Sequence, residues 1–123
     1  MRGCDMREND LLERTFIFGV DCIKYLRQLP NNQEYYIIKN QLIKSSTSTG
    51  ANYEESQAGS SKADFKNKVR IALREARESN YWLRVIKKIG NVNQSELDRL
   101  LKESQELKNV LGAIVNNTKV YGD

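Results

Sequence analysis

The sequence predicts an all-α protein: an antiparallel up-down-up-down four-helix bundle that is oligomeric. Three observations predict it. A single proline, Pro30, interrupts 123 residues in which Lys, Glu, Leu, Arg and Gln are abundant, so strong helix formers run almost without a breaker. No stretch alternates apolar and polar residues at the period of two that a half-buried strand needs, whereas apolar residues recur every three or four positions. The connections at residues 30–33 and 90–94 are short, which favours antiparallel neighbours. With 39% apolar residues the chain is expected to form one domain, 1–123, around one core.

The first helix is expected over about 10–29. Asn9 or Asp10 is placed to accept an orphan amide, with Glu13 completing a capping box if Asp10 is the cap. At 100° per residue, Leu11, Leu12, Phe16, Phe18, Gly19, Cys22, Ile23, Leu26 and Leu29 form an apolar arc wider than a coiled-coil seam, which predicts burial on more than one side. Pro30-Asn31-Asn32 ends it. The second helix, about 33–58, is the hardest to read. Ser45-Ser46-Thr47-Ser48-Thr49-Gly50 and Ala58-Gly59-Ser60-Ser61 look by composition like a linker. Spacing argues for helix: Tyr35, Ile38, Leu42, Ser45, Thr49, Asn52 (with Tyr53) and Ser56 make a heptad seam whose second half is small and polar. Such a seam allows close helix approach, and its hydroxyls must then find partners inside, because an unpaired buried polar group costs roughly 1–3 kcal/mol.

The third helix, about 62–89, has the cleanest pattern, with Phe65, Val69, Ala72, Ala76, Ser79, Leu83 and Ile86 on its bundle face. A second apolar set, Ile71, Trp82, Val85 and Ile89, lies a quarter turn or more away. Grouped apolar surface anchored by Trp marks these four as a candidate oligomer interface; packing under a loop is the competing reading. Gly90-Asn91 stops the helix, and Asn93 or Ser95 can cap the fourth, expected over about 94–120, with Leu97, Leu100, Leu101, Ser104, Leu107, Leu111, Ile114 and Thr118 on its seam.

The charge is concentrated. Lys62 to Ile89 holds nine Lys/Arg against three Asp/Glu, or +6, in a chain of net +4, so the remainder carries −2. Lys62, Lys66, Arg70, Arg74, Arg77, Arg84 and Lys88 fall on one stripe of the third helix, clear of its core face. A localised cationic strip neutralises phosphates, which makes RNA or DNA the leading partner; a merely solvated helix face is the bland alternative.

Other chemistry is scarce. The chain has no histidine, which removes Ser-His and Cys-His triads, His-based metal sites and the Glu-x-x-His pairs of di-iron bundles. No catalytic residue, metal site or cofactor is therefore expected, and the chain is expected not to be an enzyme. Glu75 and Glu78 share one side of a helix, a commonplace spacing for carboxylates. Gly50, Gly59 and Ser60-Ser61-Lys62 fail the GxxxxGK[ST] spacing of a phosphate loop. Cys4 and Cys22 lack metal or disulfide-framework spacing, and Cys22 is expected in the core. No run of 18 apolar residues exists and the charged start is unlike a signal peptide, so no membrane partner and a cytoplasmic location are expected.

Two stretches carry a family resemblance: Gln41-Leu42 through Ser45, Ser48, Gly50-Ala51-Asn52 and Glu55, then Asp64-Phe65 through Ala72-Leu73, Glu75-Ala76, Glu78 and Tyr81-Trp82-Leu83. Over roughly residues 10–118 the chain resembles the bacterial 23S rRNA intervening-sequence protein family. The resemblance implies a four-helix bundle, helix through the Ser/Thr-rich stretch, and a homopentamer as the assembly. It supplies no settled activity. Lys44 and Thr49 stand where the family often has Arg and an aliphatic residue, which bears on local packing. Asn52 and Glu55 belong to the family's pattern; Ser45, Thr49, Asn52 and Glu55 are read as a structural polar seam, with Asn52 fixing register and Glu55 paired to a basic neighbour or backbone amide, ligand contact being the alternative. Two functions compete: an oligomeric nucleic-acid binder working through the stripe, and a protein-protein interaction scaffold with no nucleic-acid role.

Overall fold

Where the chain can cap itself, it starts a helix. Asn32 Oδ1 accepts the Tyr35 amide at 2.8 Å, Ser61 Oγ the Asp64 amide at 3.0 Å, and Asn93 Oδ1 the Glu96 amide at 3.3 Å, each satisfying one orphan donor of a first turn. In the structure, a computed structural model that describes residues 3–58, 61–90 and 92–120, the helices are α1 (Gly3–Leu26), α2 (Gln33–Gln57), α3 (Lys62–Ile89) and α4 (Gln94–Asn117). No strand occurs among the described residues. Gly90 ends α3 at φ 88°, a left-handed conformation that favours glycine, while its amide bonds Ile86 O. Asn91, Gly59, Ser60 and the side chain of Cys4 lie outside what the structure describes.

The boundaries differ from expectation at both ends of α1, by one residue at the end of α2, where Ala58 is the cap, and at the end of α4. α1 begins at Gly3, so Asn9 and Asp10 lie inside the helix and not at its start. It ends at Leu26, after which Gln28 and Leu29 bond carbonyls three residues back, a tightening last turn before Pro30. α4 stops at Asn117, with Thr118 as its cap.

The contacts between helices set the sense of packing. Going forward along α1, Thr15 and then Gly19 lie against Gly50 and then Ser46 of α2, and Arg14 and then Asp21 meet Glu103 and then Arg99 of α4, so α1 runs opposite to both. Lys87 meets Asp98 and Asn80 meets Ser104, so α3 and α4 also run in opposite directions. Each helix packs on its chain neighbours, and α1 closes sparingly on α4.

The core is built by Phe18, Cys22, Tyr25 and Leu26 of α1, Leu42 of α2, Val69, Leu83 and Ile86 of α3, and Leu97, Leu100, Leu107 and Leu111 of α4, all at most 2% exposed. Two glycines set the α1–α2 distance. A Cβ on Gly50 would lie 2.9 Å from Thr15 O, and one on Gly19 3.2 Å from Ser46 O, so these backbones touch where only glycine fits. The hydroxyls of the small seam are satisfied within the fold: Thr49 Oγ1 donates to Ser45 O at 2.9 Å, and the Ser79 and Ser45 hydroxyls are 2.9 Å apart across α2–α3.

The apolar arc of α1 is narrower than its spacing suggests. Phe16 is 55% exposed, and with Tyr36 at 70%, Ile37 at 50% and Ile43 at 37% it leaves large apolar side chains on the outer side of α1 and α2. In α2, Tyr53 takes the buried seam position at 3% exposure. Asn52 is half-buried and donates Nδ2 to Ser48 O of its own helix at 2.9 Å, and no bond from it to another helix occurs among the described residues. Glu55 is exposed, and no carboxylate ion pair of Glu55 occurs among the described residues.

Candidate nucleic-acid interface

The cationic stripe of α3 begins one residue after its cap. Lys62, Lys66, Arg70, Arg74, Arg77, Arg84 and Lys88 are spaced by four or three except between Arg77 and Arg84, which keeps them on one side of the helix. Six are exposed, and Lys66 is half-buried and engaged within the chain. Helix geometry supports both ends, with Asp64 in the first turn and Lys87 and Lys88 in the last, each sign suited to the helix dipole.

What decides the electrostatic character is where the carboxylates go. Arg14 of α1 bonds Glu103 through Nε and Nη2 at 3.0 and 2.8 Å and reaches Glu106 at 3.1 Å. Arg99 of α4 bonds Glu96 at 2.6 Å and Asp21 at 2.9 Å, and Lys87 bonds Asp98 at 2.7 Å. These pairs raise the Arg14 and Arg99 guanidinium pKa further, chiefly through the hydrogen bonds to Glu103 and Glu96. None of those three cations belongs to the stripe. Within the stripe, Arg74 approaches Glu75 at 3.7 Å and keeps 69% of its side chain exposed, a weak contact in high dielectric. Lys62, Arg70, Arg77, Arg84 and Lys88 make no carboxylate pair among the described residues.

An aromatic pair sits inside the same surface. Tyr81, 49% exposed, meets Trp82 edge-on at 5.0 Å between centroids and 79° between planes. The Arg84 guanidinium carbon is 5.8 Å from the Tyr81 ring centroid, within cation-π range. Arg84 is itself held, because its Nε donates to Asn80 Oδ1 at 3.0 Å and Asn80, 6% exposed, donates Nδ2 to Ser104 Oγ of α4 at 2.9 Å. Glu78 accepts from Trp82 Nε1 at 3.4 Å and Glu75 lies against Arg74, so each carboxylate has a neighbour on its own helix. Sequence reading missed Tyr81 and Asn80. A signal for Tyr81 existed: it fills the one gap in the three-or-four spacing of the cations, between Arg77 and Arg84.

The second apolar set is less free than its spacing implies. Trp82 and Val85 are half-buried and pack against the core, Ile71 is half-buried, and Ile89 is 44% exposed. Phe16, Ile17, Tyr36, Ile37 and Ile43 are exposed large apolar side chains on α1 and α2. Ser45 and Thr49 are fully buried. Burial pushes the Cys22 thiol up to about 12, which suits a core residue. Among the described residues there is no group of acids and thiols able to hold a metal ion, and no helix is long and apolar enough to cross a membrane.

Fold and surface together define an all-α four-helix bundle with one cation-rich helix face. Residues 7–113 match the family described as 23S rRNA-intervening sequence protein, and the chain belongs to that family. It is also similar to the crystal structure of a protein of unknown function from the S23 ribosomal protein family of Bacteroides thetaiotaomicron VPI-5482, with 30% identity and a TM-score of 0.79 over 87% of this chain and 99% of that one. No curated protein matches the chain.

Proposed function

We propose that this member of the 23S rRNA-intervening sequence protein family is a non-enzymatic, self-associating bundle that binds RNA or DNA through the basic stripe of α3. The carrying observation is the gathering of open cations on one helix face: Lys62, Arg70, Arg77, Arg84 and Lys88 make no carboxylate pair among the described residues, whereas Arg14, Arg99 and Lys87 do. Phosphates displace counterions from such a face, so log affinity should fall with log salt by roughly 3 to 5 for about five neutralised phosphates. A homopentamer, the assembly expected from the family, would multiply the patch and replace sequence readout by avidity.

The test is simultaneous replacement of Lys66, Arg70, Arg74 and Arg77 by Glu, with titration of structured RNA and duplex DNA at several salt concentrations beside a mass measurement. Binding is expected to vanish while helix content by circular dichroism is kept. Retained binding with the parent's salt slope would refute the stripe. A second reading, a protein-protein interaction scaffold, draws on the exposed Phe16, Tyr36, Ile37 and Ile43. It is favoured if Phe16→Glu loses a protein partner without altering nucleic-acid affinity.

A further inference from the structure

The row of cations on α3 contains one aromatic, and its surroundings hold it in place. Taken with Tyr81, the row 62, 66, 70, 74, 77, 81, 84, 88 continues without a break at spacings of four and three, and Tyr81 is its one uncharged member. Along the helix axis Tyr81 lies about 6 Å from Arg77 and about 4.5 Å from Arg84. The ring has two braces. Trp82, half-buried against the core, meets it edge-on at 5.0 Å, and the Arg84 guanidinium lies 5.8 Å from its centroid. The second brace is anchored through Asn80 to Ser104 of α4, so Arg84 spends only its Nε on the fold and keeps its terminal nitrogens for a phosphate. Half of the Tyr81 surface nevertheless stays open, at 49% exposure.

A purely electrostatic strip has no use for an ordered, half-open ring. Phosphates on a duplex stand outside the bases, and paired bases have their π-faces covered by their neighbours. An unpaired base offers such a face, and aromatic rings interleaved with Lys and Arg recur where single strands bind. We propose that Tyr81 is a stacking platform for an unpaired nucleobase, with Arg84 and Arg77 taking the flanking phosphates, so that the ligand class of α3 is single-stranded nucleic acid. The inference rests on the reading of α3 as the polyanion face and adds to it a preference between strands.

The experiment is a titration of the full chain with a fluorescein-labelled twelve-nucleotide oligouridine and with a duplex RNA of equal length, at two salt concentrations, for the parent, Tyr81→Leu and Tyr81→Phe. Tyr81→Leu is expected to weaken oligouridine binding by about 5-fold to 100-fold, to leave duplex binding alone, and to keep the salt slope, because no cation is removed. Tyr81→Phe should bind like the parent. Trp82 fluorescence, reported from a ring in contact with Tyr81, should respond to oligouridine in the parent and not in Tyr81→Leu. Unchanged oligouridine affinity in Tyr81→Leu, or an equal loss for both ligands, overturns the platform while leaving the stripe standing. A parent that binds neither ligand at low salt overturns both.

Discussion

The same substitution at two glycines should have opposite signs. Gly50→Ala and Gly112→Ala both replace a glycine inside a helix, and each would gain about 0.5–1 kcal/mol from helix propensity alone. At Gly112 of α4 an added Cβ meets nothing within 4 Å, so that gain should appear in full. At Gly50 the Cβ would stand 2.9 Å from Thr15 O, 3.1 Å from Thr15 C and 3.4 Å from Phe16 N, all backbone atoms. Backbone cannot rotate away, so α1 must move off α2 by about 0.5 Å and loosen the packing of Phe18, Cys22 and Leu26. Overpacking of this kind costs about 1–3 kcal/mol, which leaves Gly50→Ala net destabilised by up to about 2.5 kcal/mol. For a chain of this size each kcal/mol shifts Tm by about 3–5 °C. Urea unfolding followed by circular dichroism, at one fixed protein concentration because self-association would add to stability, should separate the two variants by about 2 kcal/mol at unchanged m-value. A Gly50→Ala protein stabilised as much as Gly112→Ala would refute the close-approach argument.

Two further outcomes follow from titrating groups. The buried Cys22 thiol, raised from 9.0 to about 12, should resist iodoacetamide at pH 8 in the folded protein and react once unfolded, as read by mass mapping that separates it from Cys4. Because folding disfavours its thiolate, stability should also fall as pH rises from about 9 towards 12, and the slope of that fall should be smaller in Cys22→Ala, while buried Tyr25, raised from 10.0 to about 12, keeps its own share; a native protein alkylated at Cys22 as fast as a free thiol would contradict this. Arg99 holds the Glu96 carboxyl below its ordinary value of 4.5, chiefly by a hydrogen bond. A carboxylate with a lowered folded pKa stabilises above its unfolded value and loses that contribution as pH falls through the folded one. Glu96→Gln should therefore be slightly less stable than the parent at pH 7, by about 0–1 kcal/mol because the pair is partly exposed, and the gap in urea midpoints should narrow as pH falls below 4.5.

The sequence carried the helices because helix formation is mostly a local matter of propensity, caps and periodicity. α3 was read at Lys62–Ile89, its observed span, since the repeating apolar face and Gly90 agree. Even the Ser/Thr-rich half of α2 was legible once spacing was set above composition: small hydroxyl side chains satisfy themselves on carbonyls one turn back, as Thr49 does on Ser45 O. The N-terminus of α1 was not, because a residue suited to capping, such as Asp10, is equally tolerated inside a helix when nothing before it breaks the pattern.

What the chain by itself determined is the fold class, the family and the side of α3 on which the cations stand, since a helical period assigns residues to faces without reference to any neighbour. Only the packed structure decided how those faces are used. Gly19 and Gly50 draw two backbones together, Phe16 stands outside the core, and Asn52 yielded the seam to Tyr53. Arg14 and Arg99 found their carboxylates on another helix, 89 and 78 residues away in sequence. That pairing is long-range and has no periodic signature, so only the packed structure separates paired cations such as Arg14 and Arg99 from the open cations of the α3 stripe.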